Sequence, residues 1–317
     1  MGSMNHRHHG RSVLLGARAA LASVYLLLAG PAAFAASAPA ATLEAAQPQS
    51  RLITLPSGIT LNYVVQGDPA GQAIVLLHGV GDSWHSYERV LPLLPARYRV
   101  YAVTLRGHGW SDHPASGYSR GDFAGDINAL LAALDLRHVV LVGHSLGSFV
   151  AEQVAADDSQ GRIDKLVLVG AGPGTVPDPQ LRRSLVESFE QLRDPIDYTF
   201  ARDFQASTIH APVPPAFFET LVGEAMKVPA AAWHGIAKGW EQDEDGAFLQ
   251  RIRVPTLLLW GDHDGIFLRA QQDELLRRIA GARLVVYADT GHALHWERPE
   301  RFAADLRRFA ATASRAP

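Results

Sequence analysis

The sequence predicts an α/β fold, a doubly wound, mostly parallel eight-stranded sheet with a helical lid insertion. Short continuous apolar runs at 73–77, 99–104, 139–142, 166–169, 256–260 and 284–287 read as strands buried on both faces. Stretches of helical periodicity at 84–94, 119–134, 146–156, 268–280 and 299–310 lie between and after them. Such alternation belongs to a parallel sheet covered by helices on both sides. Ahead of these, 51–55 and 59–65 alternate apolar and polar across Pro56-Ser-Gly58, which predicts an antiparallel hairpin and completes the eight strands.

One gap breaks the rhythm. Between Gly170 and Thr256 there are about eighty residues without a convincing strand, too many for a structureless loop in a compact domain. Helical patterns at 179–192, 196–207, 215–226 and 230–242 predict a helical insertion over 173–251. The core is then expected in two pieces, 51–172 and 252–317. Residues 36–50, rich in Ala, Pro, Ser and Gln, read as a linker.

The 317 residues, 47% hydrophobic, suffice for one large core with an insertion, without metal or disulfide staples. A formal charge of −3 and a pI near 6.5 argue against nucleic acid or an anionic membrane as partner. Cysteine is absent, which removes disulfides, thiolate nucleophiles and iron–sulfur clusters. The N-terminus carries Arg7, Arg11 and Arg18, an apolar run over 19–29, and small residues around Ala33-Phe-Ala35. That layout predicts a secretory signal peptide over 1–35, with Ala38 as a second cleavage position and an uncleaved anchor as the alternative. Export to the periplasm or medium follows, with no stable membrane insertion after cleavage. His6, His8 and His9 fall in this segment without partners at helical spacing, so no metal site is expected there.

The chemistry centres on Gly143-His-Ser-Leu-Gly147, which joins an apolar strand to a helix. A serine at so sharp a turn has its hydroxyl pushed out of the sheet, and glycines two positions away on either side let strand and helix pass closely. The helix N-terminus adds N–H groups where negative charge would develop. Four more motifs follow the same chain order: Leu76-Leu-His-Gly-Val-Gly-Asp-Ser-Trp84, Leu105-Arg-Gly-His-Gly-Trp-Ser-Asp112, Leu257-Leu-Leu-Trp-Gly-Asp-His-Asp264 and Thr290-Gly-His-Ala-Leu-His-Trp-Glu-Arg-Pro299. With these the chain resembles the α/β-hydrolase superfamily over roughly residues 51–312, and a helical lid at the gap is part of that resemblance.

The resemblance implies Ser145 as nucleophile, His292 as base and Asp264 as the acid orienting it. His295 competes with His292, and Asp262 with Asp264, on proximity alone. The implied oxyanion donors are the backbone N–H groups of Val80 and Leu146. His78 and His108 are expected to brace loops rather than move protons. Trp84, His144, Phe204 and Trp233 are candidate substrate contacts, drawn from the motifs and from the aromatics of the insertion.

These residues predict a carboxylic ester hydrolase acting on small to medium apolar substrates through an acyl-enzyme, with no cofactor and no metal. A lactone is equally a substrate for that chemistry. Cofactor-free haloperoxidases share the triad. Carbon–carbon bond hydrolases often show Gly-x-Gly-Pro-Gly after the first histidine, from which His78-Gly-Val-Gly-Asp82 departs. A ligand receptor retaining the fold is the non-enzymatic alternative. Oligomeric state is not encoded in any readable feature.

Overall fold

The computed structural model describes residues 48–313, apart from 175, 177 and 243–245. The expected signal segment and the histidine cluster at its start lie outside the described residues. The chain opens with β1 (Gln49–Thr54) and β2 (Thr60–Gly67), an antiparallel hairpin in the register Thr54 to Thr60. Gln49 and Ser50, expected at the end of a linker, already pair with Val65 and Val64. Next come β3 (Gln72–Leu77), β4 (Tyr98–Val103), β5 (Val139–His144), β6 (Ile163–Val169), β7 (Thr256–Gly261) and β8 (Arg283–Tyr287). The eight form one sheet in the order β1-β2-β4-β3-β5-β6-β7-β8, and every pair from β4 to β8 is parallel.

Side chains alternate between the two faces, so each strand feeds two cores. Val75, Leu77, Leu141, Leu166 and Leu168 pack with Phe123, Ile127 and Leu130 of α1 (Arg120–Ala133) and Phe149 and Val154 of α2 (Leu146–Ala156). Ile74, Leu76, Val140, Val142, Val167 and Leu259 instead join Phe302, Leu306 and Phe309 of the C-terminal helix Pro299–Ala310. Burial on both faces is why these strands read as unbroken apolar runs. α1 starts at a capping box, Ser119 Oγ accepting from the Asp122 N–H while Asp122 accepts from the Ser119 N–H.

Between β6 and β7 stand α3 (Pro179–Glu190), α4 (Tyr198–Ala206), α5 (Pro215–Lys227) and α6 (Ala230–Gln242). Asp178 and Asp197 cap the first two, each accepting two backbone N–H groups. Phe189, Phe200, Phe204 and Trp233 bring these helices together edge to face, with ring centroids 4.7–6.4 Å apart where edges meet faces. The remaining helices are α7 (Arg269–Arg278), α8 (Leu294–Glu297) and α9 (Pro299–Ala310).

Two local differences from the sequence reading stand out. The helix expected over 84–94 is two short 3₁₀ turns, Trp84–Tyr87 and Leu91–Leu93. Pro92 accounts for the break, because it has no N–H to donate and crowds the preceding turn. α8 was not expected, being a single turn wedged between the histidine loop and Pro299.

Candidate active site

Ser145 is the sole residue between β5 and α2, at φ 52° and ψ −117°. This conformation is costly for a residue with a side chain and persists only where its surroundings enforce it. They do so here. The Ser145 N–H donates to Val169 O at 3.1 Å, and its carbonyl accepts from the Ser148 N–H at 2.8 Å and Ser148 Oγ at 2.6 Å. The flanking glycines are required by contact. A Cβ on Gly143 would lie 2.1 Å from Gly147 O, and one on Gly147 would lie 2.5 Å from Leu77 O.

Asp264 follows β7, in a turn closed by its N–H on Gly261 O at 3.0 Å. Its Oδ1 accepts from the N–H groups of Ile266 (2.8 Å) and Phe267 (3.0 Å), which leaves Oδ2 for His292 Nδ1 at 2.9 Å. With a carboxylate oxygen facing it, Nδ1 is the ring nitrogen that carries the proton, and Nε2 is the free acceptor. Nε2 is buried without a partner among the described residues, and His292 and Ser145 line the same cavity. Gly170 lies against the ring, where a Cβ would come within 2.8 Å of Nδ1.

The competing residues are placed elsewhere. Asp262 is exposed and lies 3.9 Å from His263. His295 Nε2 bonds Ser86 Oγ at 2.9 Å, and its ring packs on Tyr87.

The histidine loop is anchored to the helical insertion by Glu297, a residue whose role sequence reasoning missed. Its Oε1 accepts from the N–H groups of Gly291 (2.9 Å) and His210 (3.0 Å), and Oε2 from that of Ala211 (2.8 Å). The Ala293 N–H also donates to Thr208 O at 2.9 Å. The α4–α5 connection and the loop bearing His292 are therefore held as one piece.

Val80 lines the cavity, and the turn it sits in is made by Gly81 at φ +81°. Among the described residues neither the Val80 N–H nor the Leu146 N–H donates a hydrogen bond. Both are therefore free to serve an acceptor. The Leu146 side chain is buried in the core outside this lining, consistent with a residue offering only its backbone.

Of the four candidate substrate contacts, His144 and Phe204 line the cavity and Trp84 and Trp233 do not. Trp84 stacks on His85 at 3.9 Å and packs toward the opposite face of the sheet. Trp233 is fully buried among Phe189, Phe200 and Phe204, with its indole N–H on Val228 O at 3.2 Å. Both are packing residues, as large aromatics near a cavity often are. The cavity is tight, with about 30 Å³ of free volume, room for one or two waters. Its apolar wall includes Phe149, Leu185, Trp240, Ile266 and Phe267, none of which has a motif to mark it.

Asp82, at the end of the His78-Gly-Val-Gly-Asp82 segment, also lines the cavity and is buried. Burial pushes its carboxyl up to about 8, against the opposing pull of hydrogen bonds from Gln205, Gly79 and Ser86. His144 Nδ1 lies 3.9 Å from Asp82 Oδ2, but burial, followed by His295 and His292 nearby, holds its imidazole well below the usual range. Both shifts favour the neutral forms, which argues against an ion pair across this contact.

His78 and His108 brace loops. His78 Nε2 accepts from the Leu105 N–H at 2.9 Å while Nδ1 bonds Gly79 O, and His108 Nδ1 bonds Arg106 O at 2.8 Å. Burial first, then His108 beside it, holds His78 well below 6.5. Burial takes His108 down to about 4 and His295 down to about 3.

These buried groups set the pH dependence of stability. A histidine whose folded pKa is depressed contributes stability above 6.5 that is lost as pH falls, at roughly 1.4 kcal/mol per pH unit. Asp82 runs the other way, its raised pKa costing stability as pH rises from 3.8 toward 8. Below pH 6.5 the depressed His78, His108, His144 and His295 outweigh Asp82, whose opposing effect continues above it. Stability is expected to be greatest near neutral pH and to fall as pH drops below 6.5 toward 5. A thermal-melt series that is flat from pH 7 to 5 would contradict this.

With the fold and these contacts in place, the chain belongs to the alpha/beta hydrolase fold family, whose model matches residues 72–299. It is a hydrolase by family. A protein of Synechocystis sp. is 33% identical over 264 residues, 75% of this chain and 90% of its own length. A non-heme haloperoxidase of Rhodococcus erythropolis is 29% identical, the match covering 81% of this chain and 98% of that protein. Among solved structures, the esterase RhEst1 from Rhodococcus sp. ECU1013 is similar with a TM-score of 0.72 at 27% identity, covering 83% of this chain and 98% of its own. An esterase from Exiguobacterium antarcticum shares the fold with a TM-score of 0.76 at 24% identity, covering 83% and 100%.

Proposed function

We propose that this hydrolase cleaves carboxylic esters, lactones included, of small to medium apolar substrates through an acyl-enzyme on Ser145. The observation that carries the proposal is the Asp264–His292 hydrogen bond, which leaves a buried, unpartnered Nε2 on the cavity that Ser145 lines. Ser145 Oγ attacks the carbonyl carbon as His292 Nε2 takes its proton, and Asp264 holds the ring and stabilises the imidazolium. The N–H groups of Val80 and Leu146 donate to the developing oxyanion, each such donor being worth roughly 3 kcal/mol in the transition state. His292 then returns the proton to the leaving alcohol. Water activated by the same nitrogen releases the acid, and Ser145 recovers its proton.

The apolar wall supports an apolar acyl or alcohol group, since it is built from Phe149, Leu185, Ile266 and Phe267. The resemblance to an esterase and to a haloperoxidase bears on what attacks the acyl-enzyme. Attack by hydrogen peroxide in place of water would release a peracid and free Ser145, with no change in the residues used.

Pre-steady-state kinetics with p-nitrophenyl acetate tests the reading. A burst of about one nitrophenolate per enzyme, followed by slower turnover, is expected. Absence of both burst and turnover on p-nitrophenyl esters of short, medium and long acyl chains would refute it. Adding peroxide during the steady state and assaying peracid separates the two acyl acceptors.

A further inference from the structure

The cavity has a second, polar wall that the proposed ester cleavage does not use. Gln205, on α4, is fully buried and lines the cavity. Its Nε2 faces three acceptors, Asp82 Oδ1 at 3.0 Å, Gly81 O at 3.3 Å and Leu221 O at 3.5 Å. That fixes which end of the amide is nitrogen, because the reverse orientation would set an oxygen against three oxygens. Oε1 is then the remaining end, and it has no partner among the described residues. Asp82 is committed to the protein on both oxygens, since Oδ2 accepts from the Gly79 N–H at 3.2 Å and from Ser86 Oγ at 3.4 Å. It works as a bracket for Gln205, and buried polar atoms left unpaired in such a bracket mark a place where a ligand completes the hydrogen bonding.

We propose that Gln205 Oε1, held by Asp82, is a recognition subsite for a hydrogen-bond donor, a hydroxyl or amide N–H, that the substrate carries close to its scissile carbonyl. This rests on the ester-cleaving reading of the site and names the substrate class within it. Closeness to the carbonyl follows from connectivity. Asp82 is two residues beyond Val80 and bonds the N–H of Gly79, so the polar wall is continuous with the segment that offers the oxyanion donor. The chemistry of the wall selects a neutral donor. Among the described residues no lysine or arginine lines the cavity to receive an anion. Asp82 is committed on both oxygens to Gln205, Gly79 and Ser86, so it leaves no free oxygen for a cation. With Phe149, Leu185 and Phe267 lining the same cavity, the substrate class is an ester with an apolar arm and a hydroxyl or amide on the neighbouring carbons.

Two matched pairs test this, ethyl lactate against ethyl propanoate and ethyl β-hydroxybutanoate against ethyl butanoate, with the O-methyl ethers of the hydroxy esters as controls. Wild-type enzyme is expected to prefer a hydroxy ester to its deoxy partner by about tenfold or more in kcat/KM, the ordinary worth of one buried hydrogen bond. The methyl ethers, which accept but do not donate, should lose the preference. Gln205→Leu should bring the hydroxy-to-deoxy ratio toward one, with a thermal melt checking that the variant is folded. If esters are cleaved but wild type shows less than a twofold preference in both pairs, the subsite is refuted whatever the variant does. A preference that persists undiminished in folded Gln205→Leu refutes it as well. If wild type turns over no ester at all, the ester-cleaving reading fails and the subsite falls with it.

Discussion

Ser145→Ala is expected to lower kcat on every ester the enzyme accepts by about five to six orders of magnitude, comparable to loss of the nucleophile in other serine hydrolases. On the proposed mechanism the effect is so large because Ser145 Oγ is the atom that forms the acyl-enzyme. The residual rate would come from the free N–H groups of Val80 and Leu146 and from binding alone. Stability should change little. The strained φ of 52° is enforced by backbone bonds to Val169 and Ser148 that alanine retains. Steady-state rates and a melting curve on one preparation check both halves. A variant keeping even a hundredth of wild-type turnover would contradict the assignment.

Asp264→Asn is expected to cost about ten-thousandfold in kcat, through the tautomer of His292 rather than through distance. The N–H groups of Ile266 and Phe267 both point at Oδ1. An asparagine would keep its oxygen there and turn its NH₂ toward His292 Nδ1. Nδ1 would then become the acceptor and Nε2 would carry the proton, leaving it unable to take one from Ser145. Nitrogen-15 NMR of the imidazole should report the switch directly. Asp262→Asn serves as the contrast, since Asp262 lies 3.9 Å from His263 and its loss should change kcat less than about threefold. A larger effect at 262 than at 264 would reverse the assignment.

How much of this was legible in the sequence follows from what each pattern measures. The parallel strands were readable because burial on both faces favours unbroken apolar runs, as over residues 139–142 of β5. The elbow was readable because Gly143 and Gly147 answer a steric demand that admits no other residue. Placement of the insertion followed from the missing strands between β6 and β7. What occupies the cavity wall was not readable. Phe204 and Trp233 touch at 5.2 Å on neighbouring helices, yet one faces the cavity and the other lies behind it. Composition does not distinguish them, because packing and binding call for the same aromatic. Gln205 and Glu297 were missed for a related reason. Each acts through partners far away in sequence, Asp82 for one and the backbone of His210 and Ala211 for the other.

The central claim, that Ser145 is the nucleophile activated by His292, is tested most directly by a fluorophosphonate probe followed by peptide mapping. The account predicts one adduct, on the peptide carrying Gly143-His-Ser-Leu-Gly147 at Ser145, lost in Ser145→Ala and strongly slowed in Asp264→Asn. An adduct on another residue, or undiminished labelling of Ser145→Ala, would contradict it.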